Sequence, residues 1–213
     1  YKFLDKIAYK KRIEIARIIN KEINNLELND ALDIGTTEDI SNQSSNTIIK
    51  NLEKINIFKS ISNQNIKSSF FEKKLNKSIT DDLSKIELDE FSSDIVLSNA
   101  TIEHVGSEQN QRKMIDNIIK LSKKVFVIST PNRYYPIDFH TKIPFLHWLP
   151  KTYHRQILKI IGLSFYAQEE NLNLLSKKDL ILFMKKYDFN YKILNIKLFN
   201  INSNLILIGI KKF

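Results

Sequence analysis

The chain has 213 residues, 42% of them hydrophobic, and a formal net charge of +9. That length supports one sizeable core, so we expect a single domain over residues 1–213. The absence of cysteine excludes disulfides, thiolate nucleophiles and cysteine-based zinc sites. Any catalysis therefore has to use other side chains.

The positive charge raises the question of a nucleic-acid partner, because clustered Lys and Arg neutralise phosphates. Lys supplies 28 of the 33 basic residues, and these lysines are scattered along the chain. Such scatter favours a solvated surface over a nucleic-acid interface. No apolar run is long enough to span a membrane, and residues 1–10 lack the apolar centre of a signal peptide. We therefore expect a cytoplasmic protein.

The first half of the chain begins with helical spacing of apolar residues over 1–25, which predicts one or two amphipathic helices. A short first strand follows over 27–34 and ends in Asp-Ile-Gly, where glycine permits a tight turn. Beyond a polar stretch at 41–46, a short helix over 47–54 leads to a second strand over 55–61.

The middle of the chain alternates between helical and strand patterns. The apolar spacing predicts helices over 70–75 and 108–122. Apolar runs predict the third, fourth and fifth strands over 77–79, 93–98 and 124–129. Alternating strands and helices are typical of a mainly parallel sheet that is covered on both faces.

The segment from Thr130 to Pro150 has four prolines, several aromatic residues and two histidines, which predict a functional loop or lid. Helices follow over 154–161 and 176–187, the second opened by a capping box of Ser176 and Asp179. Strands over 191–199 and 204–211 then form an antiparallel hairpin through residues 200–203. The predicted fold is a Rossmann-like, doubly wound α/β fold with seven strands.

Ligands of such a sheet bind beyond the carboxyl ends of its strands. Polar residues follow four of the predicted strands at that edge: Asp33, Gly35, Thr36 and Thr37; Asp81 and Asp82; Asn99, Glu103 and His104; Pro131, Asn132 and Arg133.

Three segments at this edge carry a resemblance: Ala-Leu-Asp-Ile-Gly-Thr (31–36), Thr-Asp-Asp-Leu (80–83) and Ser-Asp-Ile-Val-Leu-Ser-Asn-Ala-Thr-Ile-Glu-His-Val (93–105). In order and spacing they resemble the class I methyltransferases that use S-adenosylmethionine. The segments 130–140 and 146–150 resemble bacterial members of that class from glycan and other small-molecule pathways. The resemblance covers about residues 27–213.

The resemblance implies specific contacts with the cofactor. Asp33 and Gly35, with Thr36 beside them, would approach the methionine part. Asp81 or Asp82 would face the adenine amine, Leu83 would supply a backbone or apolar contact, and Asn99 would lie beside the sulfonium. The family's ribose-binding carboxylate is replaced here by amides, so Asn63, or its neighbour Gln64, is the candidate for the ribose hydroxyls.

One departure concerns the family's glycine-rich turn, because Thr37 and Asp39 stand where two further glycines are expected. The turn must therefore be built differently. A methyltransferase-like binding protein without activity is one alternative to an enzyme, and an RNA methyltransferase is another. A nicotinamide-dependent oxidoreductase would have a full Gly-x-Gly-x-x-Gly turn, whereas this turn has one glycine.

Methyl transfer requires alignment of acceptor, methyl and sulfur, and it requires no metal in principle. A hydroxyl acceptor also has to lose a proton, for which His104 is the first candidate base and His140 the second. Each histidine has a structural alternative, capping or packing. Arg133, Tyr134 and Tyr135 are candidates for binding a small-molecule or glycan acceptor, or else for anchoring the loop.

Overall fold

The computed structural model describes residues 2–38 and 45–211, with side chains described from Lys6 onward. Asp39 and most of the polar stretch at 41–46 lie outside the described residues. Seven strands are present in the described part: β1 Asp30–Ile34, β2 Ile57–Ser62, β3 Lys73–Asn76, β4 Ser93–Asn99, β5 Ser122–Pro131, β6 Asn190–Leu198 and β7 Ile201–Ile210. The helices in the same part are α1 Lys2–Ile23, α2 Thr47–Lys50, α3 Lys85–Phe91, α4 Glu108–Leu121, α5 Lys151–Ile160, α6 Ser164–Ala167 and α7 Lys177–Met184.

The seven strands form one sheet in the order β3-β2-β1-β4-β5-β7-β6. Strands β1 to β5 pair in parallel, and β7 runs antiparallel to both β5 and β6. The order reverses between β1 and β4, and a crevice opens at such a point in a doubly wound sheet. The sheet therefore has the predicted class, strand number and hairpin, and a ligand is expected to bind beyond Ile34 and Asn99.

The core has two halves, one on each face of the sheet. Alternate residues of each strand face opposite sides, so Leu32 packs towards α4 and α7 whereas Ala31 packs towards α1 and α2. Strands β4 and β5 are buried along nearly their whole length, as their continuous apolar runs predict. The rigid centre of the sheet thus fixes the carboxyl ends of β1 and β4.

The longest predicted helices are confirmed. The N-terminal pattern forms the single helix α1, and the 108–122 pattern forms α4. The capping box before α7 is present, since the backbone N–H of Ser176 donates to the Asp179 carboxylate at 2.7 Å. Among the described helices, none is long and apolar enough to cross a lipid bilayer.

Two predictions around β3 are wrong. Residues 70–75 are not helical, and the third strand lies at Lys73–Asn76 rather than at 77–79. This strand is at the edge of the sheet and is mostly exposed, so it is held by backbone pairing with β2 rather than by a buried apolar pattern. Helix α3 was not predicted, because Phe91 is its one buried residue.

The hairpin is confirmed, but its turn lies earlier than predicted. Strand β6 ends at Leu198 and β7 begins at Ile201, so Phe199 and Asn200 form the turn. Both have positive φ, at 51° and 63°. Two such residues form the tight turn that matches the twist of paired strands. The sequence did not predict this turn, because an aromatic residue such as Phe199 is typical of a strand.

Candidate active site

Two clefts adjoin at the carboxyl ends of β1 and β4. The first cleft, of about 320 Å³, is lined by Arg12, Asp33, Ile48 and Leu97 among others. The second cleft, of about 450 Å³, is lined by residues 61–64, 77–80 and 104–105. Gly35, Thr37, Gln64 and Ala100 line both clefts, so the turn after β1 separates them.

Gly35 allows the two strands to approach each other at this turn. Its φ of +83° is in the left-handed region, which favours glycine. A Cβ atom there would lie 2.2 Å from the hydroxyl oxygen of Thr101, which follows β4. The Thr101 hydroxyl donates to the Ile34 carbonyl and so fixes the two loops together. Both observations require glycine at position 35.

The rest of the turn is built by side chains instead of further glycines. The Asn46 amide accepts from the Thr37 backbone N–H at 3.1 Å and donates to the Thr37 carbonyl at 2.8 Å. The Ser62 hydroxyl donates to the Thr36 carbonyl, and the Gln64 side chain accepts from the Glu38 backbone N–H. Thr37 itself has an ordinary negative φ. Threonine at position 37 is therefore compatible with an ordered turn, whereas Asp39 lies outside the described residues.

Asp33 and Arg12 bring opposite charges to the first cleft. Asp33 accepts a hydrogen bond from the Thr36 hydroxyl at 2.7 Å, and burial raises the pKa of its carboxyl group to about 6. Arg12 comes from α1, and burial lowers the pKa of its guanidinium, which Glu103 partly opposes. Arg12 was not among the predicted site residues, because no function was predicted for helix α1.

The amides after β2 line the second cleft, whereas the carboxylate of Asp82, after β3, forms an ion pair at the surface. Asn63 lines the second cleft and Gln64 lines both clefts. Asp82 is exposed and forms a 3.0 Å ion pair with Lys113, while Leu83 packs against the core. The backbone carbonyl of Asp81 accepts from Asn117, and the adjacent residue Thr80 lines the second cleft. The adenine role of residues 81–83 stays a prediction.

Asn99 lies at the floor of the first cleft, where its side-chain oxygen accepts a hydrogen bond from Ser129. It is therefore held in position by the neighbouring strand β5. Asp33, Gly35, Thr36, Asn63 and Asn99 thus line the clefts on either side of one turn, and their contacts with a cofactor stay predictions.

His104 and His140 come together from different loops, with their Nε2 atoms 3.2 Å apart. His104 lies on a short 3₁₀ turn after β4 and lines the second cleft, whereas His140 lies in the segment 132–150 between β5 and α5, which is called the lid here. The Nδ1 atom of His104 is 2.6 Å from the Asn171 carbonyl oxygen. The Nδ1 atom of His140 is 2.9 Å from the Asp138 carboxylate. Sequence reasoning named both histidines but did not predict their contact.

Charges around His140 favour its protonated form. Burial opposes that form, but the Asp138 hydrogen bond and the nearby Glu103 raise the pKa of His140 above its ordinary value. Hydrogen bonds from His140 and Thr141 hold the pKa of the Asp138 carboxyl group well below its usual range, against the effect of burial. The spacing Asp-x-His within the lid was the available sequence signal for this pair.

Glu103 is fully buried beside His104. One carboxylate oxygen accepts from the Thr130 hydroxyl at 2.9 Å, whereas the other has no hydrogen-bond partner among the described residues. The unpartnered oxygen, Oε1, lies 3.9 Å from Nε2 of His104. The sequence predicts Glu103 at this edge of the sheet, but no sequence signal distinguishes it from the neighbouring polar residues.

The lid residues proposed for acceptor binding have other contacts. Arg133 donates to the carbonyl groups of His147 and Leu149, and so holds the lid together. Tyr135 is buried and stacks on Phe139, with ring centroids 5.3 Å apart. Tyr134 is exposed. These contacts account for Arg133 and Tyr135 as anchors of the lid, and an acceptor role for the three residues stays a prediction.

Comparison with known proteins gives matches in structure alone. No family model matches the chain, and neither does any curated protein sequence. The plantazolicin methyltransferase BpumL, solved with SAH, matches at a TM-score of 0.62 and 11% identity, over 96% of this chain and 85% of that one. The magnesium protoporphyrin IX methyltransferase ChlM from Synechocystis PCC 6803, solved with SAM, matches at 0.55 and 8%, over 97% and 81%.

A third match is the small RNA methyltransferase HEN1, at a TM-score of 0.60 and 11% identity. It covers 94% of this chain but 25% of the HEN1 chain. At 8–11% identity, these proteins resemble the chain in fold rather than in sequence. The chain therefore has the Rossmann-like fold of the class I methyltransferases that use S-adenosylmethionine, as its sequence predicted.

Proposed function

We propose that this protein is a methyltransferase that uses S-adenosylmethionine and acts on a small-molecule or glycan-type acceptor. The observation that carries the proposal is the pair of clefts that adjoin at Gly35, at the reversal point of the sheet. Cavities of a few hundred Å³ at this place are the usual sites of nucleotide-like ligands in such folds.

The residues present fit this cofactor in charge and in hydrogen bonding. The first cleft offers Asp33 for the cofactor's ammonium group and Arg12 for its carboxylate. The buried Thr37 hydroxyl lines both clefts and has no partner among the described side chains and backbone groups. A buried hydroxyl of this kind is satisfied when a ligand bonds to it.

The second cleft fits the nucleoside part. Asn63 and Gln64 provide amide donors and acceptors for ribose hydroxyls, and Ile79 provides an apolar wall for a base. Asn99 and Ala100, at the end of β4, then lie where the two parts of the cofactor meet. When bound, the cofactor supplies an electrophilic methyl group on a cationic sulfur.

This chain's own residues would align the acceptor and remove its proton. His104 and His140 present their Nε2 atoms to each other, because both Nδ1 atoms are already paired with acceptors. An unprotonated Nε2 atom is the proton acceptor that a hydroxyl substrate needs. His104 therefore stays our first candidate for accepting the acceptor's proton, and His140, whose surroundings favour its protonated form, stays the second.

A thermal-shift titration tests the proposed function. S-adenosylmethionine and S-adenosylhomocysteine should raise the melting temperature in a saturable way, because a ligand that binds only the native state stabilises it. NAD⁺ at the same concentrations serves as the control and should give no shift. Absence of a shift at millimolar S-adenosylmethionine would contradict the proposed function and favour a methyltransferase-like binding protein without activity.

A further inference from the structure

We propose that Glu103, His104 and His140 form a binding site for a divalent transition-metal ion. One ligand atom from each residue lies within 4.8 Å of the others. Two imidazole nitrogens and a carboxylate oxygen are a ligand set typical of zinc and related ions at sites that retain an open position. Three further observations support a metal site here, in addition to the distances between the ligand atoms.

The first observation is the unpartnered oxygen of Glu103. This carboxylate is fully buried, and its Oε1 atom accepts no hydrogen bond from any described group. A buried carboxylate oxygen without a partner carries a large desolvation cost. A cation bound between Glu103 and the histidines would compensate that cost directly. The guanidinium of Arg12 also interacts electrostatically with this carboxylate.

The second observation is the orientation of the two imidazoles. Each Nδ1 atom faces an oxygen that can only accept, the Asn171 carbonyl for His104 and the Asp138 carboxylate for His140. Each Nδ1 must therefore carry the hydrogen, which leaves the lone pair of a neutral ring on Nε2. Two Nε2 lone pairs then face each other at 3.2 Å. A cation shared by the two nitrogens, either a metal ion or a proton, would relieve the repulsion between their lone pairs.

The third observation is the support behind the ligands. Histidine ligands of metal ions usually donate their second N–H to a carboxylate or a backbone carbonyl, and one of each is present here. Asp138 is itself fixed by the backbone N–H and the hydroxyl of Thr141. The two Nε2 atoms, 3.2 Å apart, would subtend roughly 100° at an ion about 2.0–2.1 Å from each, close to a tetrahedral angle, whereas the Glu103 oxygen, 3.9 Å from Nε2 of His104, would have to move closer to complete the site.

The open position of the ion would face the second cleft, because His104 lines that cleft. An oxygen donor of the acceptor, such as a hydroxyl or a carboxylate, is the ligand class suited to it. This use of the ion rests on the proposed function, whereas ion binding itself does not. A metal-bound Nε2 atom cannot also accept a proton, so the ion would replace the histidines as the activating group.

Calorimetry with Zn²⁺ alone tests the site on chelator-treated protein, and the visible spectrum of Co²⁺ reports its ligands. We expect one ion per chain, with tetrahedral Co²⁺ bands. His140→Ala and Glu103→Gln should each weaken Zn²⁺ binding by at least about 100-fold, and Asp138→Asn by about 10- to 100-fold. The exposed His104 allows a further variant, His104→Ala, that leaves the core intact.

Two matched controls accompany these variants. Glu170→Gln changes another carboxylate of the second cleft, and His154→Ala another histidine near the lid, so both should bind Zn²⁺ as the native protein does. Failure of Zn²⁺ and Co²⁺ to bind, or equal binding by the ligand variants, would overturn the site in favour of a shared proton. Titration of S-adenosylhomocysteine on the same samples separates this outcome from failure of the proposed function.

Discussion

Gly35 combines two constraints that can be measured separately. The same positive φ of 83° occurs at Gly162, where an added Cβ atom meets nothing within 4 Å. Gly162→Ala should therefore cost only the backbone strain, about 1–2 kcal/mol. Gly35→Ala adds the overlap with Thr101 and should cost about 1–3 kcal/mol more. Urea denaturation of both variants gives the difference, and equal losses would show that Thr101 does not restrict this turn.

Asp33 should make stability depend on pH in a defined direction. Its folded-state pKa is raised to about 6, so the stability of its neutral form is complete below pH ~4 and lost as the pH rises through 6. Asp33→Asn removes this loss. The variant should exceed the native protein by up to about 3 kcal/mol in unfolding free energy at pH 8.

The measurement is denaturant unfolding at pH 5 and pH 8 for both proteins. Part of the advantage at pH 8 is offset by the changed bond with Thr36, so the pH difference is the diagnostic quantity. The same loss of stability between the two pH values in Asp33→Asn would contradict the assignment. Affinity for S-adenosylhomocysteine should fall in the variant, because the cofactor's ammonium group loses its charged partner.

At the scale of elements, the turn after β1 depends on Asn46, which has a φ of 55° and two hydrogen bonds to Thr37. Asn46→Gly keeps the backbone conformation but removes both bonds. We expect a loss of about 1–2 kcal/mol in stability and about tenfold in cofactor affinity. Calorimetric titration checks the affinity. An unchanged affinity would mean that the turn is ordered without this side chain.

The β6–β7 hairpin turn offers a gain in stability. Phe199 and Asn200 both have positive φ, and Phe199 is 78% exposed, so its ring contributes little packing. The double change Phe199→Asn with Asn200→Gly gives the preferred pair for this turn. It should raise the unfolding free energy by about 1 kcal/mol. A decrease would show that the Phe199 ring makes a stabilising contact.

These elements show where sequence reasoning succeeds and where it fails. β4, β5 and α4 were predicted because buried apolar runs and helical spacing reflect their packing directly. β3 and the hairpin turn were misplaced because backbone pairing and an exposed aromatic residue determine them. Helix α3 had a signal that was overlooked, the capping box of Ser84 and Glu87.

For the site, the residues that follow β1 and β4 were predictable because the topology brings the carboxyl ends of these strands together. Contacts between loops that are distant in the sequence were not predictable. The contact between His104 and His140 depends on how the lid folds back, and Arg12 reaches the first cleft from a helix at the other end of the sequence. No sequence pattern within one segment predicts its contact with a segment that is distant in the chain.

At the scale of the whole molecule, the net charge of +9 comes mostly from lysines that are scattered along the chain. We expect any association with RNA to be non-specific and to disappear steeply as salt rises. Incubation with RNA and radiolabelled S-adenosylmethionine at about physiological ionic strength should leave the RNA unlabelled. Labelled RNA would favour a nucleic-acid acceptor over a small molecule.

The central claim is that one cofactor occupies both clefts and crosses the turn at Gly35. A crystal structure of the complex with S-adenosylhomocysteine tests it most directly. The proposed function predicts the amino-acid part beside Asp33 and Arg12, and the nucleoside between Asn63 and Thr80. A ligand bound elsewhere, or both clefts still free of it in crystals grown with millimolar S-adenosylhomocysteine, would contradict the claim.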